Sequence, residues 1–287
     1  MSTTTPSRAG ARNRLEPLAA KVPEITVLFW ALKILTTGMG EAMSDFLGQH
    51  SVPLAGAIGV FGTLLAFRLQ YRRREYHAPT YWFAVMMVAI FGTMAADGLK
   101  DGLGLSYAVT TPFFAAVAGA IFWRWHRTEG TVDIHSITTR RRETFYWAAV
   151  FATFALGTAA GDLTAITLGW GFFPSAVLFG AIIVVPLIGW RRFGLNPVVA
   201  FWAAYVVTRP LGASFADWFS KPHLQTGLGL GDGTVSAIEL VLFIGLVAYT
   251  TIRRGDVQGP RDGGEPPRLR VEDHRTPARL RPQPAEG

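Results

Sequence analysis

Long apolar stretches alternate with short polar connections along the whole chain. Eight stretches of about 20 residues stand out, near 25–47, 53–71, 79–100, 106–125, 144–166, 172–190, 197–219 and 234–252. Each is as long as a helix needs to cross a ~30 Å bilayer core at ~1.5 Å per residue. The first stretch of each successive pair follows one pattern: an aromatic–Trp pair opens it, a glycine follows, and an aspartate closes it. The copies read FWALKILTTGMGEAMSD, YWFAVMMVAIFGTMAAD, YWAAVFATFALGTAAGD and FWAAYVVTRPLGASFAD. Trp30, Trp82, Trp147 and Trp202 stand fifteen residues before Asp45, Asp97, Asp162 and Asp217, and Gly40, Gly92, Gly157 and Gly212 stand five before them. Four ungapped copies make a tandem repeat of helix pairs, about 22–74, 75–127, 140–192 and 195–254.

The predicted fold is therefore all-α: a polytopic membrane protein of eight transmembrane helices, built as four two-helix repeats. Charge sets its orientation. Of 27 Lys and Arg, Lys100 and Lys221 fall in loops after the aspartates and Lys33 and Arg209 within spans; all the others lie in the termini or toward the opposite helix ends. The positive-inside rule then places both termini in the cytoplasm. Two spans per unit make the repeats parallel, so their aspartates share one depth. The simplest packing is a ring of the four first helices with the second helices outside. Residues 1–21 lack an apolar core of signal-peptide type and read as a disordered cytoplasmic leader. Residues 255–287, rich in Pro, Gly and Arg, read as a disordered cytoplasmic tail. The connection HRTEGTVDIHSITTRRRE is the longest inner loop and divides the repeats two and two.

Composition agrees with the pattern. The chain is 50% hydrophobic, 13% aromatic and 16% charged, too apolar for an ordinary soluble protein of 287 residues. Its net charge of +7 sits in short clusters between apolar stretches, which indicates topology and a lipid-bilayer partner rather than nucleic acid. With no cysteine, thiolate metal sites and Cys nucleophiles are excluded. There is no serine elbow, HExxH or phosphate-cradling glycine loop, so an enzyme is not expected.

The chemistry to be explained is the aspartates. A carboxylate in lipid is costly, and at a helix C-terminus it also opposes the helix dipole. One turn below each aspartate, on nearly the same face, stand Glu41, Thr93, Thr158 and Ala213. Hard carboxylates supported by threonines suit Mn²⁺, Mg²⁺ or Ca²⁺, or proton carriage. The candidate cation site is Asp45, Asp97, Asp162 and Asp217, the proposed metal ligands, with Glu41, Glu239, Thr93 and Thr158. The structural alternative is that each aspartate bonds a tryptophan N–H or a neighbouring threonine and holds the bundle together. Arg209, two turns below Asp217, is expected to compensate charge, as a moving counter-ion or as a static partner of Asp217 or Glu41, and the following Pro210 to kink or open its helix. Lys33 is expected to snorkel to the inner surface, Glu24 to be a first-turn acid with gating as its alternative role, and the four tryptophans to anchor at the membrane interface. Asp101, Lys100, His223 and Asp232 are candidates for the outer entrance.

The KVPEITVLFWALKILTTGMGE start, the Trp-containing tandem units and RPLGASFADW resemble a family of uncharacterised bacterial membrane proteins, over roughly residues 21 to 254. That family consists of four two-span repeats of unknown function, each with a characteristic tryptophan. The resemblance implies an integral inner-membrane protein with Trp30, Trp82, Trp147 and Trp202 as marker residues. It implies no activity. From the charges, the expected function is a gradient-driven transporter, such as a divalent-cation exporter. The alternatives are a non-transporting sensor or scaffold, and a carrier of a small polar organic solute.

Overall fold

A computed structural model describes residues 20–258. Among these residues there are nine α-helices and no strand: α1 Val27–His50, α2 Val52–Arg72, α3 Ala78–Asp97, α4 Tyr107–Glu129, α5 Arg140–Asp162, α6 Phe172–Ile182, α7 Val184–Phe193, α8 Pro197–Ser220 and α9 Asp232–Arg253. The break between α6 and α7 follows from Pro186, whose missing N–H cannot bond the Ile182 carbonyl. Ile183 keeps a right-handed helical conformation (φ −65°, ψ −22°), so α6 and α7 form one rod. Six rods are long and apolar enough to cross a membrane. α1 and α4 are as long, at 24 and 23 residues, but less apolar: α1 carries Lys33, Glu41 and Asp45, and α4 ends in the polar stretch WRWHRTE.

Local chemistry sets the helix ends. Thr26, Thr139 and Asn196 accept backbone N–H groups at the starts of α1, α5 and α8. Ser51 serves two helices, donating its N–H to Leu47 at the end of α1 and accepting from Leu54 at the start of α2. Gly130 and Gly194, both with positive φ, terminate α4 and α7. α8 runs through Pro210 as a single 24-residue helix, so the proline does not open it.

α1, α3, α5 and α8 form a closed ring, each packed on its neighbours, with α8 returning to α1. The outer rods pack in a way the repeat alone does not disclose: α2 lies chiefly on α3, α4 on α5, α6 on α8, and α9 on α1. Each unit's second helix thus buttresses the first helix of the next unit, and the last unit closes the circle on the first. The repeat glycines mark the ring contacts. A side chain at Gly40 would strike Ala89 of α3, at Gly92 Phe154 of α5, at Gly157 Arg209 of α8, and at Gly212 Thr37 of α1. Small residues permit this close approach, as they do generally between membrane helices. The connection 130–139 does not separate two halves, since α3 and α5 pack on each other across it.

The packed chain exceeds the expected membrane domain slightly at both ends. Lys21, 6% exposed, donates to Glu143 at 2.6 Å, and Tyr76 donates to Asp256 at 2.6 Å. Residues 1–19 of the expected leader and 259–287 of the expected tail lie outside the described residues.

Candidate functional site

The ring axis is filled in layers set by the repeat. Sixteen residues before the aspartates stand Phe29, Tyr81, Tyr146 and Phe201, all buried. The Tyr81 and Tyr146 hydroxyls meet at 2.5 Å, Trp82, Trp147 and Trp202 pack on these tyrosines, and Trp125 packs on Trp202. Trp82, Trp147 and Trp202 are therefore core residues, 1%, 2% and 6% exposed, which excludes contact with headgroups. They anchor no interface because the first helices form the inside of the ring, where their aromatic starts face one another. Trp30 is partly buried against Phe29 and Phe201. Trp202 donates its indole N–H to the Val132 carbonyl at 2.9 Å, in the connection between α4 and α5. Fifteen residues of helix separate each tryptophan from its aspartate, and no tryptophan–aspartate bond occurs among the described residues.

One layer further in, Lys33 is 1% exposed, with Nζ over the rings of Phe154 (3.8 Å) and Tyr205 (4.2 Å). It does not snorkel. α1 carries it on the axial face, so its stem points into the ring. Above it Arg209 of α8 ties all four inner helices together. It donates to the Thr37 carbonyl of α1, to Glu41 Oε2 of α1 at 2.8 Å, to Thr93 Oγ1 of α3, and to Thr158 Oγ1 of α5 at 2.8 Å. Thr93 and Thr158 also donate to Glu41, at 3.3 and 3.2 Å. Arg209 is thus the partner of Glu41, not of Asp217, and the two threonines hold this pair instead of supporting the aspartates.

Over this plug lies a cavity of about 670 Å³, lined by Glu41, Asp45, Asp97, Asp162 and Asp217. All four repeat aspartates face it because each stands in or next to the last turn of its inner helix. Five-residue π-helical turns, Gly98–Gly102 and Leu163–Thr167, follow Asp97 and Asp162 and carry the chain outward. Carboxylate oxygens of Glu41, Asp45 and Asp217 lie within 4.8 Å of one another, close enough to share one cation. Asp97 and Asp162 line the same cavity but stand outside that trio. Asp217 is 2% exposed, and its Oδ1 has no hydrogen bond. The cavity mouth is formed by exposed loop residues, including Lys100 and Asp101, which pair at 3.0 Å.

Lys221, the residue that sequence reasoning missed, sits at this mouth. Its Nζ bonds Asp45 Oδ2 and Asp232 Oδ1 (2.9 Å) and stands 3.7 Å from Asp217 Oδ1. Burial works against its charge, but Asp217, Asp45 and Asp232 outweigh that effect and hold its pKa above the ordinary lysine range. The available signal was its rarity, since only one other lysine follows an aspartate in the same class of loop.

Three further candidates fall elsewhere. Glu239 packs against Gly38 of α1 and does not line the cavity. α9 lies outside the ring, so its acid reaches the flank of α1 and not the axis. Glu24 precedes α1, receives a hydrogen bond from His135 Nε2 at 3.3 Å, and donates its backbone N–H to the Asp256 carbonyl. It is not a first-turn acid, because Thr26 caps the helix. His223 bonds the Gly227 carbonyl within its own loop, while Asp232 joins Lys221 and Gln49 beside the mouth.

A family model described as Repeat of Unknown Function (DUF347) matches the chain four times, over residues 28–76, 80–131, 145–195 and 200–256. Neither a curated protein nor a solved structure matches it.

Proposed function

We propose, for a chain that belongs to the DUF347 repeat family and whose helices are those of a membrane protein, that it is a carrier of a small cation and that the acidic cavity is its binding site. The observation that carries this reading is the convergence of five carboxylates on one cavity floored by the Arg209–Glu41 pair. Acids inside a membrane bundle are costly, and collecting them around one space makes a positive guest favourable there. The all-oxygen donor set suits Mn²⁺, Mg²⁺ or Ca²⁺. By the positive-inside rule the cavity opens on the non-cytoplasmic side of a cell membrane, the bacterial inner membrane being the reading its resemblance supports. The aromatic layers and the plug then close the path below it. No nucleotide-binding motif is present in the sequence, so transport draws on an ion gradient, with export of the cation as the favoured direction.

The cavity volume favours a second substrate class. At about 30 Å³ per water, ~670 Å³ accommodates roughly 20 molecules, enough for a hydrated ion or a small organic cation. The Arg209 network, in turn, suits a non-transporting scaffold whose polar layer sets helix register. Single Asp→Asn substitutions at 45, 97, 162 and 217 separate the three. A cation carrier predicts normal protein abundance with altered cellular Mn, Mg or Ca content. Altered tolerance of organic cations with unchanged metals indicates the organic carrier, and loss of folded protein alone indicates the scaffold.

A further inference from the structure

Lys221 is held differently from the acids it touches. Its backbone is pinned: its N–H donates to the Asp217 carbonyl at 2.8 Å, its carbonyl accepts from Gly229 at 2.8 Å, and Gly227 packs against it too closely to admit a side chain. Its side chain, by contrast, is shared among several acids, and Lys221, like Gln49 and Gln225, borders two spaces, the acidic cavity and a neighbouring one of about 380 Å³. The neighbouring space holds Asp232 and Gln49, whose amide donates to Asp232 Oδ2 at 2.5 Å and leaves Oδ1 to Lys221. One ammonium therefore has two sets of partners: Asp45 and Asp217 on the cavity side, and an Asp232 already oriented by Gln49 on the other.

We propose that Lys221 is a tethered cation that occupies the acidic site when it is empty and retreats to Asp232 when a divalent cation enters. This rests on the cavity being a cation site. The argument is electrostatic and steric. An ion shared by Glu41, Asp45 and Asp217 meets a like charge on Asp45 Oδ2, and only Lys221 can move away, because Arg209 is held by all four inner helices. A lysine fits the task, being a compact charge on a flexible stem. Asp232 acts only through Lys221: it lowers the cost of vacating Asp45. The empty site then never holds its trio of acids without a positive partner, and cation affinity is set by competition with a group that cannot diffuse away.

The test is calorimetric titration of Mn²⁺ into the full chain in lipid nanodiscs, using wild type, Lys221→Gln, Asp232→Asn and the double variant, each checked for its melting temperature. If Lys221 occupies the site nine-tenths of the time, Lys221→Gln binds about tenfold tighter. Asp232→Asn, with Lys221 intact, binds more weakly, and the double variant binds like Lys221→Gln. Binding detected only after Lys221→Gln is the same result in its extreme form. Unchanged or weaker binding by a folded Lys221→Gln overturns the tethered-cation role while wild-type binding keeps the site. So does an Asp232→Asn loss that is equally large without Lys221, which would make Asp232 a direct ligand. If Lys221→Gln does not fold, unchanged binding by Asp232→Asn alone overturns the role. Failure of every protein, wild type included, to bind Mn²⁺ removes the divalent-cation site and Lys221's part in it together.

Discussion

Arg209 and Glu41 are a buried ion pair with unequal surroundings. Arg209 is 1% exposed and enclosed by Thr37, Thr93, Thr158 and the Phe154 ring, whereas Glu41, though only 2% exposed, borders the cavity. Removing one member of a buried pair leaves the other charge uncompensated, at a cost of about 3–5 kcal/mol. The two single variants should therefore differ. Glu41→Leu leaves a guanidinium in the closed centre of the ring and should show the full loss, read as melting in detergent by tryptophan fluorescence. Arg209→Leu leaves a carboxylate that cavity water can hydrate and should lose less. The double variant should recover most of the stability, because an apolar pair of similar volume fills the layer without any desolvated charge. Equal losses for the two single variants would mean that the cavity does not reach Glu41. The pair also separates two jobs that look alike in a list of acids: Glu41 completes a structural bond below while offering an oxygen to the trio above.

The inner helices depend on a residue type more than on a polar network. The repeat glycines are where one first helix meets the next, and they tolerate additions differently according to what stands opposite. At Gly40 an added Cβ would lie 2.5 Å from the Ala89 Cβ and 2.9 Å from its backbone carbon, so no rotamer change relieves the clash. Gly56 on the outer helix α2 faces open space. Gly40→Ala is expected to cost about 1–3 kcal/mol as overpacking, and Gly56→Ala to leave stability unchanged or raise it, since glycine is the poorer helix former; paired thermal melts compare them. Much of this level was legible in the sequence. Length and apolarity place the helices within a few residues of their observed bounds, as at 172–190 against Phe172–Phe193, and the ungapped repeat requires equivalent aspartates to share a level. What was illegible depends on partners distant along the chain. Nothing within one unit says that α2 supports α3 more than α1, and interface and core both favour tryptophan, so the burial of Trp82 and Trp147 follows only from the ring. Glu239 was misplaced for the same reason, since depth along a helix was readable while the direction it faces was not. Lys221 escaped notice because a loop position carries no periodicity from which its reach can be derived.

Closure of the ring gives the molecule two unlike ends. At the aspartate end the axis opens into the acidic cavity. At the aromatic end the chain crosses its own bundle: Lys21 donates its backbone N–H to the Ile137 carbonyl and its ammonium to Glu143, Tyr76 takes the Ala20 carbonyl, and Gln258 donates to the Val22 and Pro23 carbonyls. These contacts tie the segment before α1 to the segments leading into α3 and α5 and to the chain beyond α9. In the orientation proposed above, drawn from the positive-inside rule, the cavity end faces the non-cytoplasmic side. The absence of cysteine permits a direct test, because every introduced thiol is unique. Gly102 lines the cavity mouth with open space around it, and Arg74 is exposed at the opposite end. A membrane-impermeant maleimide added to intact cells should label Gly102→Cys and should label Arg74→Cys only after permeabilisation. Ser44→Cys, inside the cavity, should react from the same side as Gly102→Cys and be slowed by Mn²⁺, because Asp45 and Glu41 stand within one helical turn of it. Thr36→Cys, below the Arg209 layer and fully buried, should react from neither side. The opposite pattern at Gly102 and Arg74 would invert the protein and open its cavity to the cytoplasm. Labelling of Thr36→Cys from the Arg74 side alone would show that the aromatic end opens while the plug holds, so that the two closures on the axis are separate gates.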